Sequence, residues 1–285
     1  MNILVIRQGA LGDVIMTTGI VRALAEQYPG SAIDVATDSP EVFRSSTRVR
    51  SAAPRVILNS VDYDLVVDLD MAYELDPKQH AIDAYAARAG IDPATTDLHT
   101  ELFVEPEDHA FLAHANLPER FVVLHQRQHV WPNRNLPADF YIELASKIIG
   151  LTEHAVVQIG GNQDYTFGTI DGYLYDLSHQ LSLHQTAALI SRAQAFVGVD
   201  AGPMHIASTT ATPIVGMFTS VRAEYREARN RLVPHINIAS AIDCYGCVER
   251  QPVPVTQYYC ERGDDECTRR FSADSIIEQL KTVLI

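Results

Sequence analysis

Phe196-Val197-Gly198-Val199-Asp200-Ala201-Gly202-Pro203-Met204-His205-Ile206-Ala207 is the stretch on which the fold turns. Its first four residues run without a polar break, which suits a strand buried on both faces. Asp200 ends the run, and a helix is expected over Met204–Thr209, with Pro203 where a first-turn proline is tolerated. A strand that hands an acidic residue to a helix start is the unit of a parallel α/β sheet, and ligands of such sheets lie beyond the carboxyl ends of strands. The free N–H groups at Gly202–His205 suit a diphosphate. His205 is either a donor to a phosphate or sugar oxygen or an ordinary buried histidine.

The same unit recurs outward from there. Strands are expected at Asn2–Arg7, Ile33–Thr37, Arg55–Leu58 and Leu65–Leu69, with helices over Asp13–Tyr28, Gln79–Ala89 and Glu107–Ala115 and a helix start at Ser39-Pro40. The pattern restarts after Leu117-Pro118. Strands follow at Phe121–His125, Ala155–Ile159, Tyr173–Leu177, Ala195–Val199 and Pro213–Phe218, with helices over Ala138–Ile149, Ser182–Ile190 and Ala273–Leu284. Two such blocks imply two doubly wound halves, 1–118 and 119–285. The loops after Arg7, His125 and Val199 are where a ligand belongs.

The first of those loops reads Arg7-Gln8-Gly9-Ala10-Leu11-Gly12-Asp13. Gly9 and Gly12 permit a tight turn and a close backbone approach. Asp13 falls at the helix start, where a carboxylate is favoured either as a plain cap or as a functional group. The glycine spacing departs from the G-x-G-x-x-G dinucleotide pattern, so Asp34 or Asp38 as a ribose partner does not make this a dehydrogenase.

Composition narrows the function. In 285 residues, 22 basic side chains face 36 acidic ones, and the net charge of −14 excludes a phosphate-tracking nucleic-acid binder. The first 118 residues hold 8 basic and 18 acidic side chains, so most of the excess lies there. No apolar run approaches the ~20 residues that span a bilayer. The opening strand is too short for a signal-peptide core, so a cytoplasmic location is expected. Cys244, Cys247, Cys260 and Cys267 are spaced C-x2-C-x12-C-x6-C, consistent with a structural Zn or Fe site, with free thiols or disulfides as the alternatives.

Taken together, four ordered motifs resemble one family. Ile3 to Val14, Trp131-Pro132 before a helix, Gly160-Gly161 with Asp164, and Phe196 to Ala207 are similar to the ADP-heptose–lipopolysaccharide heptosyltransferases, glycosyltransferase family 9. The resemblance implies a GT-B architecture, two Rossmann-like domains facing across a cleft. It implies transfer of a heptose from ADP-heptose with inversion, without a cofactor or catalytic metal. Asp13 matches the family's candidate base. Asp200, Ala201, Gly202, Pro203, Met204 and His205 match its donor segment, and Asp164 its nucleoside contact. Where the family carries a lysine before Trp-Pro, this chain has His129, with Arg127 as the expected substitute because it stays cationic at neutral pH.

These residue types fit the chemistry. Inversion needs a base beside the acceptor hydroxyl and positive charge for the departing ADP, and closure of the two domains would exclude water. Arg44, Arg48 and Arg50, with Arg55 nearby, are candidates to grip an anionic acceptor. The expected acceptor is a lipopolysaccharide core or related glycan, with at most peripheral membrane contact. The cysteines leave open a protein O-heptosyltransferase with a cysteine-bound metal, and a non-catalytic nucleotide-sugar-binding protein is the remaining alternative.

Overall fold

In the computed structural model, residues 1–58, 60–128, 130–161, 164, 166, 168–229 and 233–284 are described. Packing divides them into two units, 1–103 with 252–256, and 104–251 with 257–285.

Unit 1 begins with strand β1 (Asn2–Ile6), whose last four residues are buried, and helix α1 (Leu11–Gln27). Helix α1 is buried without interruption from Val14 to Leu24, so its whole circumference is covered rather than one stripe. Its close seating depends on Gly19, where a Cβ would stand 2.6 Å from the carbonyl oxygen of Leu98. Strands β2 (Ala32–Ala36), β3 (Val49–Ala53) and β4 (Leu65–Asp68) complete a parallel sheet of order β3-β2-β1-β4, and helix α2 (Ala81–Arg88) packs on α1.

The third strand is not where the apolar run Arg55–Leu58 placed it. Val56 and Ile57 are 92% and 67% exposed on a turn after Pro54, and the strand forms over Val49–Ala53 instead. Arg50 Nε donates to Asp34 Oδ1 at 3.0 Å, and the Tyr63 hydroxyl donates to the other oxygen at 2.7 Å. A cross-strand ion pair at a sheet edge therefore outweighs local hydrophobicity.

Unit 2 holds helix α3 (Pro106–Ala113), strand β5 (Phe121–His125), helix α4 (Ala138–Thr152), strands β6 (Ala155–Ile159) and β7 (Leu174–Asp176), and helix α5 (Leu183–Ile190). Strand β8 (Ala195–Val199), helix α6 (Gly202–Ala207), strands β9 (Ile214–Phe218) and β10 (His235–Ala239), and helix α7 (Ala273–Lys281) follow. The sheet is parallel, in the order β10-β9-β8-β5-β6-β7. Strands β5, β6, β8 and β9 are buried at every residue, as chain covered on both faces must be. Strand β10 was not expected, because an edge strand half open to water carries only a weak pattern.

Helix α3 packs against α5 and so joins unit 2, although the sequence reading grouped it with the first half. Helix α7 lays Ala273, Ile276, Ile277 and Leu280 into the core at spacings of three and four, against Leu144 and Ile148 of α4 and Val215 and Met217 of β9. Full burial of each of these isoleucine and leucine side chains contributes about 1.5–3 kcal/mol. Ser182 caps α5 through a reciprocal pair with Gln185, its hydroxyl accepting the Gln185 amide at 3.2 Å and its amide donating back at 2.9 Å. Both units are Rossmann-like α/β folds, and no helix among the described residues is long and apolar enough to cross a membrane.

Candidate functional site

In unit 1 the carboxyl end of β1 carries a buried charge network. Arg7 is 3% exposed, and its Nη2 lies 2.8 Å from Glu74 Oε1 and 3.1 Å from Asp13 Oδ2. Its Nη1 donates to the Leu69 carbonyl at 3.2 Å and stands 3.9 Å from Asp70. The Tyr73 hydroxyl donates to Asp13 Oδ1 at 2.9 Å, and the guanidinium lies 5.2 Å from the Tyr73 ring centre and 5.3 Å from that of Tyr85. Burial alone disfavours the charge on Arg7, but Tyr85, Asp13, Tyr73 and Glu74 reverse it and raise the pKa well above the ordinary value.

Asp13 sits in the first turn of α1 with no side-chain cap beneath it, so its two oxygens are held by Arg7 and Tyr73 rather than by the helix. Gly9 adopts φ +106, which lets the loop turn, and its amide points at Asp38 Oδ2 at 3.4 Å. Gly12 is buried within α1. The arginines expected to meet an acceptor are largely engaged in the fold. Arg48 pairs with Glu101 at 2.9 Å, Arg50 is committed to Asp34 and Asn2, and Arg44 is exposed after a 3-10 turn.

In unit 2 the carboxyl ends of β5 and β8 gather cations around Asp200. Arg127 Nη1 donates to the Asp200 carbonyl, Arg134 Nη1 lies 3.8 Å from Asp200 Oδ2, and His205 Nε2 lies 3.7 Å from Oδ1. Burial opposes the charge of Asp200. The neighbouring His205 and the charges of Arg134 and Arg226 overcome it and hold the carboxyl well below the usual carboxylate range. Burial, and then the like charge of Arg134, bring Arg127 down to about 10. It stays cationic at neutral pH. Arg134 is itself fixed by stacking, its guanidinium 5.0 Å from the Trp131 ring centre.

The structure brings Asp200, His205 and Arg127 together and adds Arg134, which sequence reasoning missed. Arg134 lies two residues past Trp131-Pro132, so its position was the available signal. Ala201 and Gly202 open α6 and Pro203 is its second residue, but Met204 turns into the core, 1% exposed, with its sulfur beside Gly216. Helix α6 has six residues and spans Gly202–Ala207 rather than Met204–Thr209. So short a helix has a small dipole, which leaves the guanidiniums as the main source of positive potential. Asp164 accepts the amides of Gln128 and Gly161, each at 2.7 Å. His129 lies outside the described residues. A cavity of about 470 Å3 opens beside Arg127 and Gln128, bordered by Asn135, Leu136, Asp265 and Arg269.

The four cysteines are the residues expected to hold a structural Zn or Fe. All are free thiols, and among the described residues no three His, Cys, Asp or Glu side chains converge on one point. Burial raises the Cys267 thiol to about 12, with Cys247, Cys260 and Cys244 adding to the rise. Burial likewise raises Cys244 and Cys247. The four thiols thus lie close enough to bear on one another electrostatically.

Comparison with known proteins agrees with this geometry. No curated protein matches the chain by sequence. Among solved structures, a glycosyltransferase family 9 protein from Veillonella parvula superposes with a TM-score of 0.78 at 16% identity, covering 99% of this chain and 97% of its own. The ADP-heptose lipopolysaccharide heptosyltransferase II of E. coli gives a TM-score of 0.74 at 19% identity, covering 100% and 98%. The iron-containing dodecameric glycosyltransferase TibC of enterotoxigenic E. coli gives 0.76 at 14% identity, covering 100% and 77%. The profile of glycosyltransferase family 9 (heptosyltransferase) matches residues 21–253, a span that begins after Asp13 and includes Arg127, Arg134, Asp200 and His205. The chain therefore belongs to glycosyltransferase family 9, and it is a glycosyltransferase.

Proposed function

We propose that this enzyme transfers a heptose from ADP-heptose, with inversion, to a hydroxyl of a lipopolysaccharide core or related glycan. One observation carries the donor half of the reading. Two guanidiniums converge on Asp200 at the strand ends of unit 2, Arg127 on its carbonyl and Arg134 on its carboxylate. Two fixed cations beside one carboxylate suit a diphosphate and the charge it gains on leaving. The heptosyltransferase II and TibC likenesses favour ADP-heptose as the donor, since TibC has been solved with ADP-D-β-D-heptose.

In this reading Asp13 takes the proton of the acceptor hydroxyl as that oxygen forms its bond to the anomeric carbon. The bond from that carbon to the β-phosphate oxygen breaks on the opposite face, and its electron pair leaves with ADP. Arg7 and Tyr73 hold the carboxylate still, and each of its oxygens keeps a further lone pair for the incoming proton. Arg127 and Arg134 meet the growing negative charge, so the proposed chemistry needs no metal ion. A nucleotide-sugar donor goes with a cytoplasmic site of action.

The donor is tested by thermal stabilisation with ADP-, GDP-, UDP- and dTDP-sugars, because a ligand that binds the native state raises its stability by mass action. ADP-heptose is expected to give the largest shift, and a larger shift with another base would overturn the nucleotide assignment. His205→Ala is expected to weaken ADP-heptose binding in calorimetry, and unchanged affinity would remove it from the site. Assays with glycan and with protein acceptors then separate the proposed reaction from protein O-heptosylation. Binding without turnover on either class would make the protein a sugar-nucleotide binder.

A further inference from the structure

The loops that follow β5 and β6 are held together by one carboxylate. Asp164 Oδ1 accepts the Gln128 amide at 2.7 Å, Oδ2 accepts the Gly161 amide at 2.7 Å, and His125 Nε2 lies 3.5 Å from Oδ2. His125 ends β5 and is 2% exposed, with Nδ1 unpartnered among the described residues. The ring proton therefore belongs on Nε2, facing the carboxylate. Burial keeps this imidazole neutral by lowering its pKa, although Asp164 pulls the other way. Gly160 is shaped to the same contact. A Cβ there would stand 2.8 Å from the Asp164 Cβ and 3.0 Å from its Oδ2.

Each Asp164 oxygen is thus engaged by the protein's own N–H groups, and one of them belongs to the residue next to Arg127. Arg127 in turn donates to the Asp200 carbonyl, so the position of the 127–128 backbone decides where that guanidinium is presented. We infer that Asp164 is a positioning residue that latches the Arg127–Gln128 loop to Gly161 and governs diphosphate affinity, not nucleoside recognition. The inference rests on the donor reading above, and the measurement separates the two.

The affinities of the full chain for ADP and for inorganic pyrophosphate are compared by calorimetry. Wild-type protein that binds neither ligand sinks the donor reading, and this inference with it. Given wild-type binding, Asp164→Ala is expected to weaken both ligands by the same factor, about tenfold, as befits the loss of hydrogen bonds to a charged group. Loss of ADP affinity with pyrophosphate unchanged would show a nucleoside contact and overturn the inference. Loss of thermal stability with both affinities unchanged would show a merely structural role and overturn it equally. Gly160→Ala displaces Asp164 without removing it and provides the second variant. It is expected to weaken both ligands equally and by less, and an effect on ADP alone would again overturn the inference.

Discussion

The strand ends of the two units carry opposite solutions to burying charge. In unit 1 one guanidinium, Arg7, is ringed by the carboxylates of Asp13, Glu74 and Asp70. In unit 2 two guanidiniums meet at Asp200, Arg134 on its carboxylate and Arg127 on its carbonyl. Buried ions are costly unless paired, so neither surplus is what stability alone would select. An excess of carboxylate suits a group that must accept a proton. An excess of guanidinium suits a leaving group that gains negative charge. The division of labour is written in which sign is left over.

The strongest way to break that contrast is at Asp13. Asp13→Ala is expected to lower the transfer rate about 10³-fold, in the range of general-base contributions, while ADP affinity by calorimetry stays at the wild-type value. Transfer at the wild-type rate would disprove the base assignment. Arg7→Met strands Asp13 and Glu74 without their cation. Its expected cost is about 3–5 kcal/mol of stability, as for one partner removed from a buried pair, read as a lower urea midpoint.

Unit 2 answers to binding rather than folding. Arg134→Ala is expected to weaken ADP about tenfold to a hundredfold, the worth of a hydrogen bond to a charged group. Arg134→Lys should recover only part of that, because lysine keeps the charge and loses the planar stack on Trp131. Equal affinities for both variants and wild type would return the cation's role to Arg127 alone.

The smallest effect is in pH. The folded pKa of Asp200 lies below its ordinary value, so its stabilising contribution is complete above about pH 4 and is lost as the pH falls. The gap in urea midpoint between wild type and Asp200→Asn should therefore narrow from pH 6 to pH 3. A gap that widens on acidification would reverse the sign of this pairing.

Much of this was legible in the chain itself. Buried runs such as Phe121–His125 and Phe196–Val199 announce strands covered on both sides, and the strand–loop–helix order then places Asp13 and Asp200 at strand ends. The misreading at Arg55–Leu58 has a physical cause, since local hydrophobicity cannot register the Arg50–Asp34 pair that sets β3. The cysteine spacing says only how far apart the thiols are in sequence; that all four bear on one another is a product of the fold.

What the sequence by itself determined is the succession of elements and the loops where chemistry belongs, because periodicity and turn residues act over a few neighbours. Which charges meet was decided only by tertiary structure. Arg7 finds Glu74 across 67 residues, and Arg127 finds Asp200 across 73. Such pairings depend on strand order and burial, and no local pattern in the chain encodes either one.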